Sequence, residues 1–291
     1  MKHVTCNAKI MDLNELKQIW RDNQFSPKKN LGQNFLIDKN IREKILKNLS
    51  LTQKSTVLEI GPGFGVMSIP LAGRCKKLFA VEKDDRICEI MKDVFLSAGN
   101  IDLICGDIIK LDLCKLTKKN DKITVYGNIP YYISTPVIVK TIEQRSCIDS
   151  VYIVMQEELA DRIVSPPGSK KYGSISCFVQ FYSKAEKLFR ITKNCFLPKP
   201  KVESCLLKLK MYRVPKIKVK DEDLMFKIIR KAFSQRRKKM INPLSDKNFL
   251  KIDKQTWQKI LETCEIDPSS RAEDLSLEKY AKLADYIVKK S

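Results

Sequence analysis

The stretch that decides the fold class is Val57-Leu58-Glu59-Ile60-Gly61-Pro62-Gly63-Phe64-Gly65, in which a short apolar run leads directly into a glycine-rich turn. Glycines at a strand-to-helix turn allow a ligand to approach the backbone closely, so Gly61 and Gly63 are candidate cofactor contacts. A dinucleotide fingerprint has the spacing Gly-x-Gly-x-x-Gly/Ala, whereas the spacing here is Gly-x-Gly-x-Gly, with Val66 at the third small position. The pattern favours a nucleoside cofactor without a pyrophosphate over NAD, and a tight turn that binds nothing is the alternative.

Further short apolar runs follow this one at intervals of about 20–30 residues, as βα units require. They are Leu78–Val81, Ile101–Ile104, Ile123–Tyr126 and Val151–Val154. This alternation predicts an α/β fold with a mostly parallel sheet covered by helices. Two later runs, at 185–191 and 204–211, resemble a hairpin-like pair and predict an antiparallel edge to the sheet.

Helical spacing of apolar residues occurs before and after the predicted sheet. It covers Met11–Arg21 and Ile37–Leu49, with Asp38 as a candidate cap, and it returns at Asp221. We place a domain boundary near Val214-Pro215. The prediction is an α/β domain over residues 1–213, whose first 50 residues are an N-terminal helical segment, and a small all-helical domain over residues 214–291.

The charge of the chain points to a polyanionic partner. The sequence has 55 Lys and Arg against 34 Asp and Glu, a net charge of +21, spread along a chain with the 43% hydrophobic content of a globular protein. Nucleic acid is the partner that this balance favours, and an anionic membrane is the weaker alternative because no polybasic amphipathic stretch stands out. For the cluster at 236–239 a solvated helix end is the alternative to contact with nucleic acid. The candidate nucleic-acid-binding residues are Lys28, Lys29, Lys199, Lys201, Arg236, Arg237 and Lys238.

Cysteine and histidine usage excludes several kinds of site. Ten cysteines are scattered without a C-x-x-C spacing, and His3 is the only histidine, which excludes a Cys/His zinc finger and a Ser-His triad. No metal site is predicted. The cysteines are expected to be small core hydrophobes in a reducing compartment, and no apolar run is long enough to span a membrane, so we expect a cytoplasmic protein with no membrane partner.

Polar side chains end three successive predicted strands. Glu82 ends the second strand, where its carboxylate could accept both hydroxyls of a ribose, and Asp107 follows the third, where it could accept from an adenine amine. Asn128 ends the fourth. Because open α/β sheets bind ligands at the carboxyl ends of their strands, we expect these side chains to share one site with the glycine turn.

The stretch Gly127-Asn128-Ile129-Pro130-Tyr131-Tyr132 suits a reaction at the exocyclic amine of a flat base. The Asn128 side-chain oxygen and the Ile129 carbonyl could accept the two N–H bonds of the amine, and Pro130 bends the backbone between them and Tyr131. The ring of Tyr131 could stack on the base, with Tyr132 or Phe196 as a further wall. A strand-end turn with a buried tyrosine is the alternative.

These motifs, in this order, resemble those of Rossmann-like S-adenosylmethionine-dependent methyltransferases. More narrowly, the segment Leu31-Gly32-Gln33-Asn34-Phe35-Leu36 is similar to the N-terminal motif of ribosomal RNA adenine dimethyltransferases. The resemblance extends over nearly everything after residue 27. The further blocks similar to the small-subunit branch of that family are Met155–Arg162, Tyr172–Ser176, Phe196–Ser204, Ala232–Lys238 and Arg271–Ser276.

The resemblance implies a cofactor, a substrate and site residues. The cofactor would be S-adenosyl-L-methionine, and the reaction would be dimethylation of the exocyclic amines of two adjacent adenosines in a hairpin loop near the 3′ end of 16S rRNA. The substrate would be small-subunit ribosomal RNA within a pre-30S particle, acted on by a monomer in the course of subunit biogenesis, with the C-terminal domain contacting the RNA. The implied cofactor contacts are Asn34, Leu36, Gly61, Glu82, Asp107 and Asn128.

Two other functions use the same fold. Ile129 stands where the small-subunit branch commonly has Leu, and Ile is usual in the macrolide-resistance enzymes that modify large-subunit rRNA; the block at 271–276 and the Pro-Pro-Gly-Ser loop at 166–169 argue against that branch. A non-catalytic assembly or transcription factor is the second alternative. The presence of Glu82, Asp107 and Asn128 argues against it.

Overall fold

The computed structural model describes residues 13–28, 31–118 and 121–290. Within these residues the chain divides into two compact units. The first holds the residues up to Glu157 together with Glu186–Met211, and the second holds Glu158–Ala185 together with the chain from Tyr212 onward. The boundary predicted at residues 213/214 lies close to the last point at which the chain passes from the first unit to the second, at residues 211/212. Residues 158–185, assigned by sequence to the α/β domain, group with the C-terminal residues.

A seven-stranded mixed sheet organises the first unit. Its order is β4-β3-β2-β5-β6-β9-β7, and β1 and β8 form a separate two-stranded sheet. All four contacts among β2 to β6 are parallel, and β9 runs antiparallel to β6. The strands are β1 (Phe35–Leu36), β2 (Thr56–Ile60), β3 (Lys77–Glu82), β4 (Ile101–Cys105), β5 (Ile123–Asn128), β6 (Ile148–Gln156), β7 (Ser183–Ile191), β8 (Phe196–Leu197) and β9 (Ser204–Met211).

The predicted α/β class is confirmed, since each of the five apolar runs is a parallel strand. The strands are continuous apolar runs because both faces of a central parallel sheet are covered by helices. Val57 and Leu58 of β2, for example, are both fully buried. The two late runs form β7 and β9 at one end of the sheet, as predicted for the antiparallel edge.

The helices that cover the sheet begin at side-chain caps in two cases that matter for the site. Asp38 caps α2 by accepting from the backbone N–H of Ile41 at 2.9 Å, and Asp84 caps α4 by accepting from that of Arg86 at 3.3 Å. The helices up to residue 143 are α1 (Leu13–Asp22), α2 (Lys39–Asn48), α3 (Ser68–Ala72), α4 (Asp85–Ser97) and α5 (Ser134–Glu143).

The second unit is built from helices, as predicted for the C-terminal domain. Asp221 and Asp253 cap two of them through their side chains. Trp257 and Tyr280 are fully buried within this unit. In the described part of the chain no helix is long and apolar enough to cross a membrane. The remaining helices are α6 (Glu157–Val164), α7 (Ser174–Tyr182), α8 (Glu222–Phe233), α9 (Ile241–Leu244), α10 (Lys254–Thr263) and α11 (Leu277–Lys290).

The expectation that the cysteines are core hydrophobes is wrong for three of them. Cys114 and Cys147 form a disulfide with their Cα atoms 5.4 Å apart, and Cys105 is exposed. The two cysteines are 33 positions apart in sequence and lie in the short helical turns at residues 113–116 and 145–147, which pack together. The buried free cysteines behave as predicted, and they are Cys75, Cys88, Cys177, Cys195, Cys205 and Cys264.

Candidate active site

A cleft of about 970 Å³, part of it open to solvent, lies at the carboxyl ends of β2, β3, β4 and β5. Parallel strands end at the same edge of a sheet, so residues far apart in sequence meet there. The segment at residues 31–36 forms another side of the cleft. The predicted site residues that line it are Asn34, Gly61, Gly63, Glu82, Asp107, Asn128, Ile129, Pro130 and Tyr131.

The glycine turn after β2 needs glycine for two different reasons. Gly61 and Gly63 have φ values of +71° and +54°, a region that L side chains rarely adopt. A Cβ on Gly63 would also lie 2.9 Å from Cε1 of Phe35, whereas the atom nearest to a Cβ on Gly61 would be the Asn128 carbonyl oxygen at 3.7 Å. The backbone at Gly61 is therefore open to the cleft, and the backbone at Gly63 is packed against the 31–36 segment.

Glu82 is held in place by backbone amides at the end of β3. One of its oxygens, Oε1, accepts from the N–H groups of Lys83 and Asp84 at 2.8 and 2.9 Å, and Oε2 accepts from that of Gly63 at 3.2 Å. The residue is only 7% exposed, and this burial raises the pKa of its carboxyl group. Oε1 already accepts two bonds and Oε2 accepts one, so Oε2 is the oxygen with acceptor capacity left for a hydroxyl in the cleft.

Asp107 lines the cleft from the turn after β4, the strand next to β3. Its Oδ1 accepts from the backbone N–H of Ile109 at 3.0 Å, and its Oδ2 pairs with Nζ of Lys83 at 2.8 Å. The hydrogen bond to Lys83 lowers the pKa of Asp107, so the carboxylate is an ionised acceptor at neutral pH. Lys83 was not predicted as a site residue, yet its side chain orients Asp107 and its backbone supports Glu82.

The orientation of the Asn128 side chain follows from a bond to the 31–36 segment. Its Nδ2 donates to the backbone oxygen of Asn34 at 3.0 Å, and Nδ2 of Asn34 donates to the oxygen of Gly32 at 2.9 Å. Because a backbone oxygen only accepts, the amide nitrogen of Asn128 is committed to Asn34. Oδ1 is then the end that can accept from a ligand in the cleft.

Tyr131 is anchored by a serine that sequence reasoning did not single out. Its hydroxyl lies 2.6 Å from Oγ of Ser204, a fully buried residue at the start of β9. Burial raises the pKa of the Tyr131 phenol. Ser204 is 73 positions away in sequence, and its only sequence signal was its place at the end of the block Phe196–Ser204. The neighbouring Tyr132, 57% exposed, also lines the cleft.

Two residues expected at the site, Leu36 as a cofactor contact and Phe196 as a wall for the base, are not among the residues that line the cleft. The side chain of Leu36 is 1% exposed in the core, and Phe196, expected as a possible wall, is 3% exposed. They pair with each other between β1 and β8, and neither lines the cleft. Gln33 and Asp84 line the cleft and were not predicted as site residues. Their only sequence signals were a polar position in the 31–36 motif and a helix cap two residues after Glu82.

The candidate RNA-binding residues differ in how free their side chains are. Arg236 donates from Nη2 to the backbone oxygens of Lys170 and Tyr172 at 2.7 and 2.8 Å, and it pairs with Glu273 at 3.2 Å. Its guanidinium therefore holds a loop of its own unit. Lys29 lies outside the described residues. The exposed members of the set are Lys28, Lys199, Lys201, Arg237 and Lys238.

Comparison with known proteins adds a family and a fold. A family model described as ribosomal RNA adenine dimethylase matches residues 24–289. A curated protein of Clostridium botulinum (strain Loch Maree / Type A3), named ribosomal RNA small subunit methyltransferase A, is 37% identical over 271 residues, which are 93% of this chain and 98% of that protein. A similar relative of Alkaliphilus oremlandii (strain OhILAs), with the same name, is 36% identical over 97% of this chain and 99% of its own.

Solved structures agree with the architecture. A crystal structure of a dimethyladenosine transferase from Plasmodium falciparum has a TM-score of 0.75 and 25% identity, covering 88% of this chain and 98% of its own. A crystal structure of the 23S rRNA methyltransferase ErmE has a TM-score of 0.66 and 19% identity, covering 87% and 99%. The second similarity is one of fold alone.

Proposed function

The chain belongs to the ribosomal RNA adenine dimethylase family, and on that premise we propose that it is an S-adenosylmethionine-dependent enzyme that dimethylates the exocyclic amine of adenosines in small-subunit ribosomal RNA. The target is two adjacent adenosines in a hairpin loop near the 3′ end of 16S rRNA. The enzyme acts as a monomer on a pre-30S particle. The names of the curated relatives and the net charge of +21 support a small-subunit RNA substrate.

The residues of the cleft fit S-adenosylmethionine. Glu82 offers a carboxylate pre-oriented by three backbone amides for the ribose hydroxyls, and Asp107 offers an acceptor for the adenine amine. Gly61 has no side chain to fill the cleft, so its backbone is open to a ligand there. Asn34 and Asn128 line the same cleft, and this part of it suits the methionine end of the cofactor. When bound, the cofactor supplies an electrophilic methyl group on a sulfonium centre.

The orientation of Asn128 is the observation that carries the proposal. An exocyclic amine is a poor nucleophile because its lone pair is delocalised into the ring. Acceptors placed at Oδ1 of Asn128 and at the Ile129 carbonyl bind its two N–H groups and favour a more tetrahedral nitrogen. An amide in the opposite orientation would present a donor instead. The bond from Nδ2 of Asn128 to Asn34 excludes that orientation.

Tyr131 and the two acceptors, Oδ1 of Asn128 and the Ile129 carbonyl, also account for how the base is held and for the second methyl transfer. Tyr131, anchored by Ser204, provides a ring on which an unstacked adenine can stack. The ammonium formed by methylation loses its proton readily to water, so the site needs no strong base. For the second transfer the monomethyl amine rotates, and its remaining N–H finds an acceptor at one of the same two oxygens.

Exposed basic residues of the second unit supply a contact for RNA phosphates. Arg237, Lys238 and Lys239 are exposed in the turn segment that follows α8, while the adjacent Arg236 is bonded within the unit. Cations of this kind bind phosphates without reading the sequence, so they strengthen the association and do not choose the target.

The alternatives receive no support from the site or the relatives. The curated relatives are named as small-subunit methyltransferases, and the similarity to the 23S rRNA enzyme is one of fold. Glu82, Asp107 and Asn128 line one cleft, which favours a catalytic role over a purely structural one.

The test is nucleoside mass spectrometry of both ribosomal RNAs. Small- and large-subunit particles lacking adenine methylation are incubated with the protein and methyl-labelled S-adenosylmethionine. We expect labelled dimethyladenosine in small-subunit RNA alone, located by primer extension because the modified base blocks pairing. Asn128→Ala should bind cofactor and lose methyl transfer by about 100-fold or more. Label in large-subunit RNA, or full activity of the variant, would refute the proposal.

A further inference from the structure

The segment at residues 31–36 is fastened to the cleft by a hydrogen bond that the sequence did not predict. Nε2 of Gln33 donates to Oδ2 of Asp84 at 2.9 Å, across 51 positions of sequence. Both residues line the cleft. We call this contact the Gln33–Asp84 tether.

The Asp84 end of the tether is rigid. Asp84 is 4% exposed, and its carboxylate accepts from Nε and Nη2 of Arg86 at 3.1 and 2.7 Å. The Arg86 guanidinium lies 4.7 Å from the ring centroid of Phe25, a member of the aromatic cluster around Phe64. A planar guanidinium bonded through two nitrogens and stacked on a ring leaves the carboxylate little freedom.

The polarity of the Gln33 side chain is also determined. The backbone N–H of Lys28 donates to Oε1 of Gln33 at 2.7 Å, so the amide nitrogen must face Asp84. The backbone N–H of Asp84 donates in turn to Oε1 of Glu82 at 2.9 Å. A continuous chain of bonds therefore joins the 31–36 segment to the carboxylate that we assign to the ribose.

The other side of the same segment reaches the target-base side of the cleft. The Asn34 oxygen accepts from Asn128 at 3.0 Å, and a Cβ on Gly32 would lie only 3.1 Å from Cβ of Pro130. The segment thus spans the cleft from the ribose side to the amine-acceptor side. Phe35 and Leu36 at its end pair with β8. The polar contacts of the segment with the cleft are the bond from Asn128 on the base side and the tether on the ribose side.

We propose that Asp84 is a positioning residue that acts through Gln33: it holds the 31–36 segment across the cleft and so sets how long the cofactor stays bound. The inference rests on the proposed cofactor site. Two methyl transfers to one amine require the spent cofactor to leave and a new one to arrive between them. The tether is the contact that has to loosen for this exchange on the ribose side, because Asp84 itself is locked by Arg86.

A pair of substitutions distinguishes a tether from a general structural role. Gln33→Glu places a second carboxylate against the buried carboxylate of Asp84 and replaces attraction by repulsion. Asp84→Asn also breaks the chain of hydrogen bonds, because both oxygens of Asp84 accept bonds and the amide nitrogen that replaces one of them must face a donor of Gln33 or Arg86. The double variant Gln33→Glu/Asp84→Asn restores the bond between the two side chains with reversed polarity: the new carboxylate accepts from the Lys28 N–H and from Nδ2 of the new amide. The amide oxygen keeps the bond from Nε of Arg86, and only the bond from Nη2 of Arg86 stays lost, as it does in Asp84→Asn alone.

Two measurements on the full chain read out the tether. The dissociation rate and affinity of S-adenosylhomocysteine are measured by stopped-flow and calorimetry, and hydrogen exchange of residues 31–36 is measured without cofactor. Gln33→Glu should release S-adenosylhomocysteine at least about tenfold faster and exchange faster in the 31–36 segment, because a hydrogen bond to a charged group is lost. The double variant should release S-adenosylhomocysteine more slowly, and exchange more slowly in the 31–36 segment, than either single variant, because only it re-forms the bond between residues 33 and 84.

Gln53→Ala is the matched control. Nε2 of Gln53 donates to the Gly73 oxygen at 2.9 Å in an exposed position away from the cleft, so removing it tests the loss of an ordinary glutamine bond. We expect it to change neither readout. Unchanged release and exchange in Gln33→Glu, or a double variant as fast as the single one, would overturn the inference. If the wild type does not bind S-adenosylhomocysteine, the proposed function fails, and the exchange rates of the cofactor-free variants still decide whether the tether exists.

Discussion

Replacing Glu82 by Gln tests the cofactor site most directly, because the substitution keeps the shape of the side chain and removes its charge. In the wild type Oε1 accepts two backbone N–H groups and Oε2 accepts one, from Gly63 at 3.2 Å. A glutamine has one acceptor end. If its oxygen keeps the two bonds at Lys83 and Asp84, its amide nitrogen faces the Gly63 N–H and presents donors to the ribose hydroxyls.

The geometry gives the expected size of the effect. A hydrogen bond to a charged acceptor contributes about 1.5–3 kcal/mol, against about 1 kcal/mol for a neutral one, so losing a charged acceptor for the ribose costs about 2–3 kcal/mol of binding. That corresponds to a cofactor affinity weakened by about 30- to 150-fold. Folding stability should change little. Removing a buried charge stabilises the folded state, and losing the hydrogen bond from the Gly63 N–H destabilises it. We expect a shift in melting temperature of less than about 4 °C.

The pH dependence supplies a second signature. Burial raises the pKa of Glu82 in the folded protein above its unfolded value. Its contribution to folding stability is therefore present at low pH and is lost as pH rises through the folded pKa. Cofactor affinity should change in the opposite direction and increase over the same rise, since the ionised carboxylate is the acceptor. Glu82→Gln should abolish this increase.

Calorimetric titration with S-adenosylhomocysteine between pH 5 and 9 measures the affinity, and thermal melts measure the stability. Asp85→Asn is the matched control, because it removes the same charge from an exposed position three residues along the chain. It should bind S-adenosylhomocysteine like the wild type. A Glu82→Gln variant that binds within about threefold of the wild type, with the same pH profile, would refute the assignment of Glu82 to the ribose.

Three further predictions concern the core, the second unit and the aromatic wall. Burial raises the pKa of Glu59 from 4.5 to about 8. The free energy of unfolding should therefore fall as the pH rises between those two values, by on the order of 1 kcal/mol per pH unit. Urea melts should show this pH dependence in the wild type and not in Glu59→Gln. Arg236→Ala should lower the melting temperature, since it leaves two backbone oxygens without their donor. By contrast, Arg237→Ala should keep the wild-type melting temperature and lose about one phosphate contact, which lowers the slope of RNA affinity against salt concentration. A lowered melting temperature for Arg237→Ala together with a weakened salt dependence for Arg236→Ala, in thermal melts and filter binding, would contradict both assignments. Ser204→Ala should lower kcat about tenfold while the affinity for S-adenosylhomocysteine stays constant, because the Tyr131 ring loses its anchor, and Tyr131→Phe should match it in single-turnover assays.

Much of the fold could be predicted because its signals are local. Each parallel strand is a short apolar run buried on both faces, and the caps Asp38 and Asp84 bond within three residues of themselves. The residues of the cleft that stand at strand ends were also predictable, since the carboxyl ends of parallel strands meet at one edge whatever the side chains are. Glu82, Asp107 and Asn128 could be assigned to one site on that ground.

Predictions that depended on side-chain direction were less secure. Leu36 and Phe196 were expected near the ligand, yet they pair between β1 and β8 and face the core. Arg236 belongs to a basic run, and its guanidinium is used within the protein. Charge and apolar character describe a residue type, and which face of an element a side chain occupies depends on what packs against it.

The sequence by itself determined the α/β class, the order along the chain of the strands that carry the site, and the chemical types of the residues at their ends. Only the tertiary structure decided how those groups are oriented: the Asn128 amide turned by Asn34, 94 positions away, the Tyr131 hydroxyl held by Ser204, and Gln33 bonded to Asp84. The physical reason is the range of the forces involved. Apolar periodicity and capping act over a few residues, whereas a hydrogen bond between distant segments exists only after packing has brought donor and acceptor within about 3 Å of each other.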